Sequence, residues 1–329
     1  MPEDGFGRDI NYLRLSIIDN CNLRCVYCMP MEGLTFAPAP ELLTPEEFAT
    51  VARAAATVGF HKIRLTGGEP LLRADLVEIV EKISRIDGIT DLSMTTNGVR
   101  LPQLAHRLKA AGLHRVNIHL DTLDRDHLKR VMRLGSFDAI WSGIEAAQAA
   151  GLHPIKINVV VVRDYNEDDV VDMARLTMDR DWHVRFIELM PLGGGECARL
   201  SLEQYVSNTQ TRERIEEVLG CLTPILSHDP SDEARNYRLE DAPGVVGFIS
   251  PVSEPYCGTC NRMRLTADGK FHLCLLNDDE LDVKRALRNG AGEEGVARIL
   301  LKAIAFKPTG HRLDQGHAPQ QRSMYQIGG

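Results

Sequence analysis

Six of the eight cysteines fall into two clusters, Cys21/Cys25/Cys28 and Cys257/Cys260/Cys274, while Cys197 and Cys221 stand apart and match neither. Clustered thiols in a cytosolic chain are expected to bind metal rather than form disulfides. The first cluster, Cys21-Asn-Leu-Arg-Cys25-Val-Tyr-Cys28, places three thiolates within eight residues. A structural zinc takes four ligands. A [4Fe–4S] cluster held by three cysteines leaves one iron open to another molecule. Zinc completed by a distant residue, or thiols buried as small apolar groups, would answer to the same spacing. The second cluster, Cys257-Gly-Thr-Cys260 with Cys274, again offers three. Here His272 precedes Cys274 by two and would share its face of a strand, so a Cys3His zinc site stays open.

A second group of residues points to an anion. Strand-like segments carry polar pairs at spacing two, Lys62/Arg64, Asn117/His119, Lys156/Asn158 and Arg262/Arg264, with Arg14 and Arg185 on two more. Members of such a pair face the same way. Strands buried on both faces should be continuously apolar, and a cation inside them is costly unless paired. One arginine could be a structural ion pair. Five strands contributing inward cations fit a polyphosphate site better, since guanidinium suits phosphate. No G-x4-G-K-[ST] is present, so a P-loop is excluded as the means of holding it.

These residues need a scaffold. Strands are expected at 11–18, 62–67, 91–97, 115–121, 155–162 and 182–190, separated by helices at 44–59, 74–87, 103–112, 137–151 and 168–179. Thr44, Pro45 and Glu47 supply a cap, a first-turn proline and a capping box. Alternation of strand and helix implies an α/β fold with a parallel sheet, here an incomplete (β/α)6 barrel. The first cysteines follow strand one, where such sheets place active sites. After Met190 the rhythm stops at Pro191-Leu-Gly-Gly-Gly195. We expect one region over 1–190 and a C-terminal α+β extension over 191–329. The extension should hold a helix near 203–219, strands near 236–241 and 246–251, a hairpin across 262–275, and helices at 282–290 and 295–307. The hairpin should turn at Ala267-Asp268-Gly269.

Charge and hydropathy limit the function classes. Lys plus Arg number 38 against 46 Asp plus Glu, giving −8 and a pI near 5.8. That balance argues against nucleic acid or an anionic membrane as partner. No apolar run is long enough for a spanning helix, and the N-terminus lacks a signal-peptide layout, so a cytoplasmic location is expected.

The C-x3-C-x2-C run with Tyr27 before its last cysteine resembles the signature of the radical S-adenosylmethionine (SAM) superfamily. Leu65-Thr-Gly67-Gly68-Glu69-Pro70 resembles that superfamily's segment for the methionine moiety. Within it, C-x2-C-x13-C, Asn261-Arg262-Met-Arg264, Asp268-Gly-Lys270 and the terminal Gly328-Gly329 resemble the GTP 3′,8-cyclases of molybdenum cofactor biosynthesis. The resemblance implies two [4Fe–4S] clusters on the two cysteine triads, the first chelating SAM and generating a radical, the second holding guanine. By position it implies Tyr27, Gly67, Gly68, Glu69, His119, Asn158 and Met190 near SAM. It likewise implies Arg14, Arg64, Thr95, Lys156, Arg262 and Arg264 around GTP. Arg262, Arg264 and the tail residues Gly328 and Gly329 are expected to act in catalysis. His119 departs from the serine usual at its position. A low-potential electron donor, a hand-over of product to cyclic pyranopterin monophosphate synthase, and a monomer or homodimer are further implications. Another radical SAM enzyme with an auxiliary cluster, such as a peptide-modifying maturase, is the nearest alternative. A zinc-binding or redox-sensing protein is the alternative from another class.

Overall fold

The computed structural model describes residues 2–227, 229 and 231–328. Six strands follow the expected order: β1 Tyr12–Ser16, β2 Lys62–Thr66, β3 Asp91–Thr96, β4 Arg115–His119, β5 Lys156–Val160 and β6 His183–Ile187. Between them lie α1 (Pro45–Thr57), α2 (Leu76–Ser84), α3 (Leu101–Ala110), α4 (Arg125–Val131), α5 (Phe137–Ala149) and α6 (Val170–Asp179). Helix α1 begins as its sequence requires: Thr44 Oγ1 accepts from Glu47 N at 3.2 Å and Glu47 returns the bond to Thr44 N at 2.7 Å. Leu13, Leu15, Ile63, Leu65, Ile157, Val159, Val184 and Phe186 are fully buried in one apolar core with helix residues such as Phe48 and Val51. The residues alternating with them along the strands carry the polar groups.

The C-terminal third forms α7 (Gly195–Glu203), α8 (Asn208–Leu219), β7 (Thr223–Ile225), β8 (Arg235–Arg238), β9 (Val245–Ile249), β10 (Arg262–Leu265), β11 (Lys270–His272), β12 (Glu280–Asp282), α9 (Lys284–Arg288), α10 (Glu293–Ala305) and α11 (Met324–Ile327). It does not form a sheet of its own. β10 pairs parallel with β1, and β9 pairs parallel with β6, so the strand order is β12-β11-β10-β1-β2-β3-β4-β5-β6-β9-β8-β7. Eight parallel strands thus stand side by side in an open sheet, with antiparallel ribbons at both edges.

Several local expectations need correction. The helix expected at 203–219 is α8 and starts later, at Asn208, because Ser207 and Gln210 form its capping box. The glycine run at 193–195 leads directly into α7. β11 ends at His272, so Cys274 lies beyond the strand and spacing two does not place it beside His272.

The glycine pair after β2 is required by the chain's own packing. Gly68 N donates to Ile18 O at 2.7 Å and Glu69 N to Asn20 O at 2.8 Å, pinning the segment that leads into Cys21. A Cβ on Gly68 would lie 2.2 Å from Asn20 O, and one on Gly67, whose φ is +151°, would lie 2.2 Å from Ile18 O. Gly68→Ala should therefore lower stability by about 2 kcal/mol through overpacking against backbone, read as a lower midpoint in denaturant. An unchanged midpoint would show that the loop yields freely.

Candidate active site

The C-terminal ends of the parallel strands open into a cavity of about 220 Å³. Cys21, Cys25, Cys28, Tyr27, Gly67, Gly68, Glu69, Thr95, His119, Asn158, Met190, Arg14, Arg64, Arg262 and Arg264 all line it. An adjoining cavity of about 70 Å³ is lined by Cys257, Cys260 and Cys274, and shares Met190, Tyr256, Arg262 and Arg264 with the first. Lys156, one strand position below Asn158, is half-buried beneath the lining. Gly329 lies outside the described residues.

The loop after β1 carries the first triad. Cys28 N and Met29 N both donate to Cys25 O, at 2.9 and 3.1 Å, turning the chain so that its thiols gather. Burial pushes the Cys21 thiol up to about 12 and raises Cys28 as well. Asn97 Nδ2 donates to Asn22 Oδ1 at 2.8 Å, tying the loop to the end of β3. Glu69 is buried and accepts from Leu71 N at 2.9 Å, Thr96 Oγ1 at 2.6 Å and Asn97 N at 2.7 Å. Burial nonetheless raises its pKa.

The residue that departs from the family pattern is firmly engaged. His119 Nε2 makes a short contact with the Tyr27 hydroxyl and lies 2.9 Å from Asp121 Oδ2, to which Tyr27 donates at 2.8 Å. Burial would lower the imidazole pKa, but Asp121 outweighs it and lifts His119 to about 10.

The second triad is braced from the other end of the chain. Arg8, held by Asp4 Oδ2 at 2.6 Å, donates to Cys257 O at 2.7 Å and to Pro308 and Thr309 carbonyls. Buried Lys307 donates to Leu273 O at 2.9 Å. Burial would raise Cys260, but Arg262 and Lys307 hold it down to about 6, a thiolate at neutral pH. His272 is buried against Glu280 Oε1 at 3.2 Å and does not line the cysteine cavity. Among the described residues no three His, Cys, Asp or Glu close around a point that could hold a single ion. Each triad instead offers free thiols around one cavity, as the corners of a multi-iron cluster require. His272, the fourth ligand that the sequence offered, is thus not beside the three thiols.

The cations meet as a row. Arg14 is in register with Arg64 on one side and Arg264 on the other, across three adjacent parallel strands. All three are buried, as are Arg185 and Arg262. Burial and neighbouring arginines depress Arg264 to about 9 and Arg185 to about 10. Burial and Arg185 bring Lys156 down to about 7. Arg185 Nη2 is held by Asn158 Oδ1 at 2.6 Å, and Arg264 Nη1 donates to Gly328 O. The tail is thus seated against the site: a Cβ on Gly328 would lie 2.5 Å from Thr66 Cγ2. Sequence reasoning missed Glu233, whose carboxylate bonds Arg14 and Arg262; an acidic run at 229–233 without periodicity was its only signal.

Comparison with known proteins agrees with this geometry. The radical SAM superfamily description matches residues 15–177, and Molybdenum Cofactor Synthesis C matches 182–313. The chain is 49 % identical over 327 residues to the GTP 3′,8-cyclase of Pelotomaculum thermopropionicum, covering 99 % of this chain and 100 % of that one. It is 48 % identical over 330 residues to the GTP 3′,8-cyclase of Heliobacterium modesticaldum, covering 99 % of each. Among solved structures, Streptococcus suis SuiB bound to S-adenosylmethionine superposes with a TM-score of 0.60 at 13 % identity, over 88 % of this chain and 68 % of that one, a likeness of fold.

Anaerobically purified protein should carry about eight iron and eight sulfide per chain, and Cys25→Ser or Cys257→Ser about four. Cys197→Ser should leave the count unchanged. Stoichiometric zinc without a brown chromophore would overturn the two-cluster assignment.

Proposed function

Because the chain belongs to the GTP 3′,8-cyclase family of radical SAM enzymes, we propose that one end of its cavity holds SAM and the other GTP. The reaction is cyclisation of GTP to (8S)-3′,8-cyclo-7,8-dihydroguanosine 5′-triphosphate, the first step of molybdenum cofactor biosynthesis. The observation that carries the placement is the buried row Arg264, Arg14 and Arg64, in register on three adjacent strands and lining the first triad's cavity, with Arg264 lining the second triad's as well.

Cys21, Cys25 and Cys28 would hold the first [4Fe–4S] cluster, and Cys257, Cys260 and Cys274 the second. When bound, clusters and SAM supply the hydrogen abstraction at ribose C3′ that lets this carbon join C8 of guanine. The chain's own groups do the positioning. Tyr27, Gly67, Gly68, Glu69, His119, Asn158 and Met190 surround the SAM end; Glu69, fixed by three donors, faces it with a set orientation. Arg14, Arg64, Lys156, Arg262 and Arg264, with Thr95, take the triphosphate end, where charge-assisted bonds fix the ribose relative to the radical source. The Arg264 bond to Gly328 O supports a role for the Gly328-Gly329 tail in covering the site and keeping water from it. Residues 1–190 supply the SAM side and 191–329 the auxiliary cluster. A low-potential electron donor feeds the first cluster, and the product passes to cyclic pyranopterin monophosphate synthase. No helix among the described residues is long and apolar enough to cross a membrane. The enzyme works in the cytoplasm as a monomer or homodimer.

Arg262→Ala or Arg264→Ala should abolish cyclised product, followed by mass analysis under anaerobic reduction, while slow SAM cleavage persists. Full turnover in either variant removes these arginines from the substrate site. Lys156 gives a pH signature. Its pKa near 7 should rise when a phosphate binds nearby, so binding takes up a proton and weakens as pH climbs above 7. Calorimetry in buffers of different ionisation enthalpy should detect this uptake, and Lys156→Met should remove it. Uptake that persists in that variant would clear Lys156 of the role.

A further inference from the structure

Glu233 sits in the connection between β7 and β8, outside the parallel strands, yet its carboxylate reaches the cation row. It accepts from Arg14 Nη2 at 2.5 Å and from Arg262 Nη1, and stands 3.5 Å from Arg64 Nη1. Its side chain is 12 % exposed and those of the three arginines 7 to 8 %. The arrangement is the one a phosphoryl group would seek: an anion enclosed by guanidinium groups from three adjacent strands.

The connection is held by charge. Asp229 Oδ2 pairs with Lys62 Nζ at 2.5 Å, a second inward cation, and Asp229 Oδ1 accepts from Ser231 N at 2.9 Å. Leu226, which could have anchored it, is 88 % exposed. Ionic attachment of a polar loop to a cavity wall can be exchanged for another anion without dismantling apolar packing. The cations are also under-supplied. Among the described residues Arg14 Nε and Arg262 Nη2 are buried with no hydrogen-bond partner, and Arg14, Arg64 and Arg262 share the Glu233 carboxylate. A triphosphate brings more charge and more acceptors than Glu233 can.

We propose that Glu233 is the chain's own anion in the triphosphate cradle, which a polyphosphate ligand must displace from Arg14, Arg64 and Arg262. The proposal rests on the reading that these arginines hold the substrate's phosphates. Displacement imposes a fixed cost on every ligand of the cradle. Ligands with three phosphoryl groups recover it through the unfilled donors, whereas a single phosphate replaces one anion with another and gains little.

The test is equilibrium binding to the anaerobic two-cluster protein. Glu233→Gln keeps the volume and removes the competing charge. It should bind both GTP and inorganic triphosphate about tenfold more tightly, the equivalent of one charge-assisted hydrogen bond. Inorganic phosphate should bind the variant measurably better than the native protein. Asp229→Asn leaves every arginine and Glu233 in place but loosens the connection, and should shift affinity the same way by a smaller factor. GTP binding that is unchanged or weaker in Glu233→Gln would show that the carboxylate positions the arginines instead of competing for them, and would overturn the proposal. Should that variant fail to fold, an Asp229→Asn protein with no gain for inorganic triphosphate overturns it equally. If the native protein and both variants bind no triphosphate at all, the reading of the arginine row falls, and the proposal with it.

Discussion

Three guanidinium groups at one level of three neighbouring parallel strands repel one another, and like charges placed directly across a sheet are destabilising. Arg264, Arg14 and Arg64 are such a row, and water cannot screen them because they are buried. Much of the surrounding structure can be understood as compensation. Glu233 bonds Arg14 and stands 3.5 Å from Arg64, and the Gly328 carbonyl answers Arg264. The Tyr12 ring lies 5.3 Å from Arg14 and 5.4 Å from Arg64, offering each its electron-rich face. Even so, the depressed values of Arg264 and Arg185 show that compensation is incomplete. A protein keeps such a site only where a ligand completes it.

The row also dictates how the chain must fold. One of its members comes from β10, which joins β1 across nearly the whole length of the sequence. The cation site therefore does not exist until the C-terminal third has docked on the edge of the barrel. The second cysteine triad obeys the same constraint, since Cys257 O is held by Arg8 from the N-terminal segment. An N-terminal portion alone would expose the β1 edge and lack Arg262 and Arg264. Assembly of the substrate end is thus coupled to completion of the sheet.

What could be read beforehand follows from how strong each local signal is. Arg14, Arg64 and Asn158 were legible because a polar residue in a strand buried on both faces is an anomaly, and spacing two assigns it a side. The cysteines were legible because their number and spacing suit few metals. The parallel pairing of β10 with β1 was not legible, since nothing local distinguishes a hairpin that stands alone from one that extends a distant sheet. His272 shows the limit of periodicity: the strand ended two residues too early for the rule to apply to Cys274. Glu233 lay in a loop, where no period assigns a side chain to any face. Gly67 and Gly68 are legible as part of a family segment, but nothing in the sequence shows that the chain's own Ile18–Asn20 backbone leaves no room for a Cβ there.

The overall charge of −8 illustrates why net charge and ligand charge need not agree. Exposed carboxylates of this chain largely face exposed cations, as in Arg125–Asp138 and Arg53–Glu293, and beyond about 8 Å solvent ions screen them. Inside the cavity screening is weak, and the field is set by the few groups that line it. There, the buried arginines Arg14, Arg64, Arg262 and Arg264 outnumber the lining carboxylates Glu69, Glu188 and Glu233. The outer acids then act only on encounter, where they slow the approach of an anion without altering its final contacts. Binding a polyanion in an acidic protein therefore requires that the cations be strand-borne, inward and in register, because the same residues on the surface would be neutralised by its excess of acids.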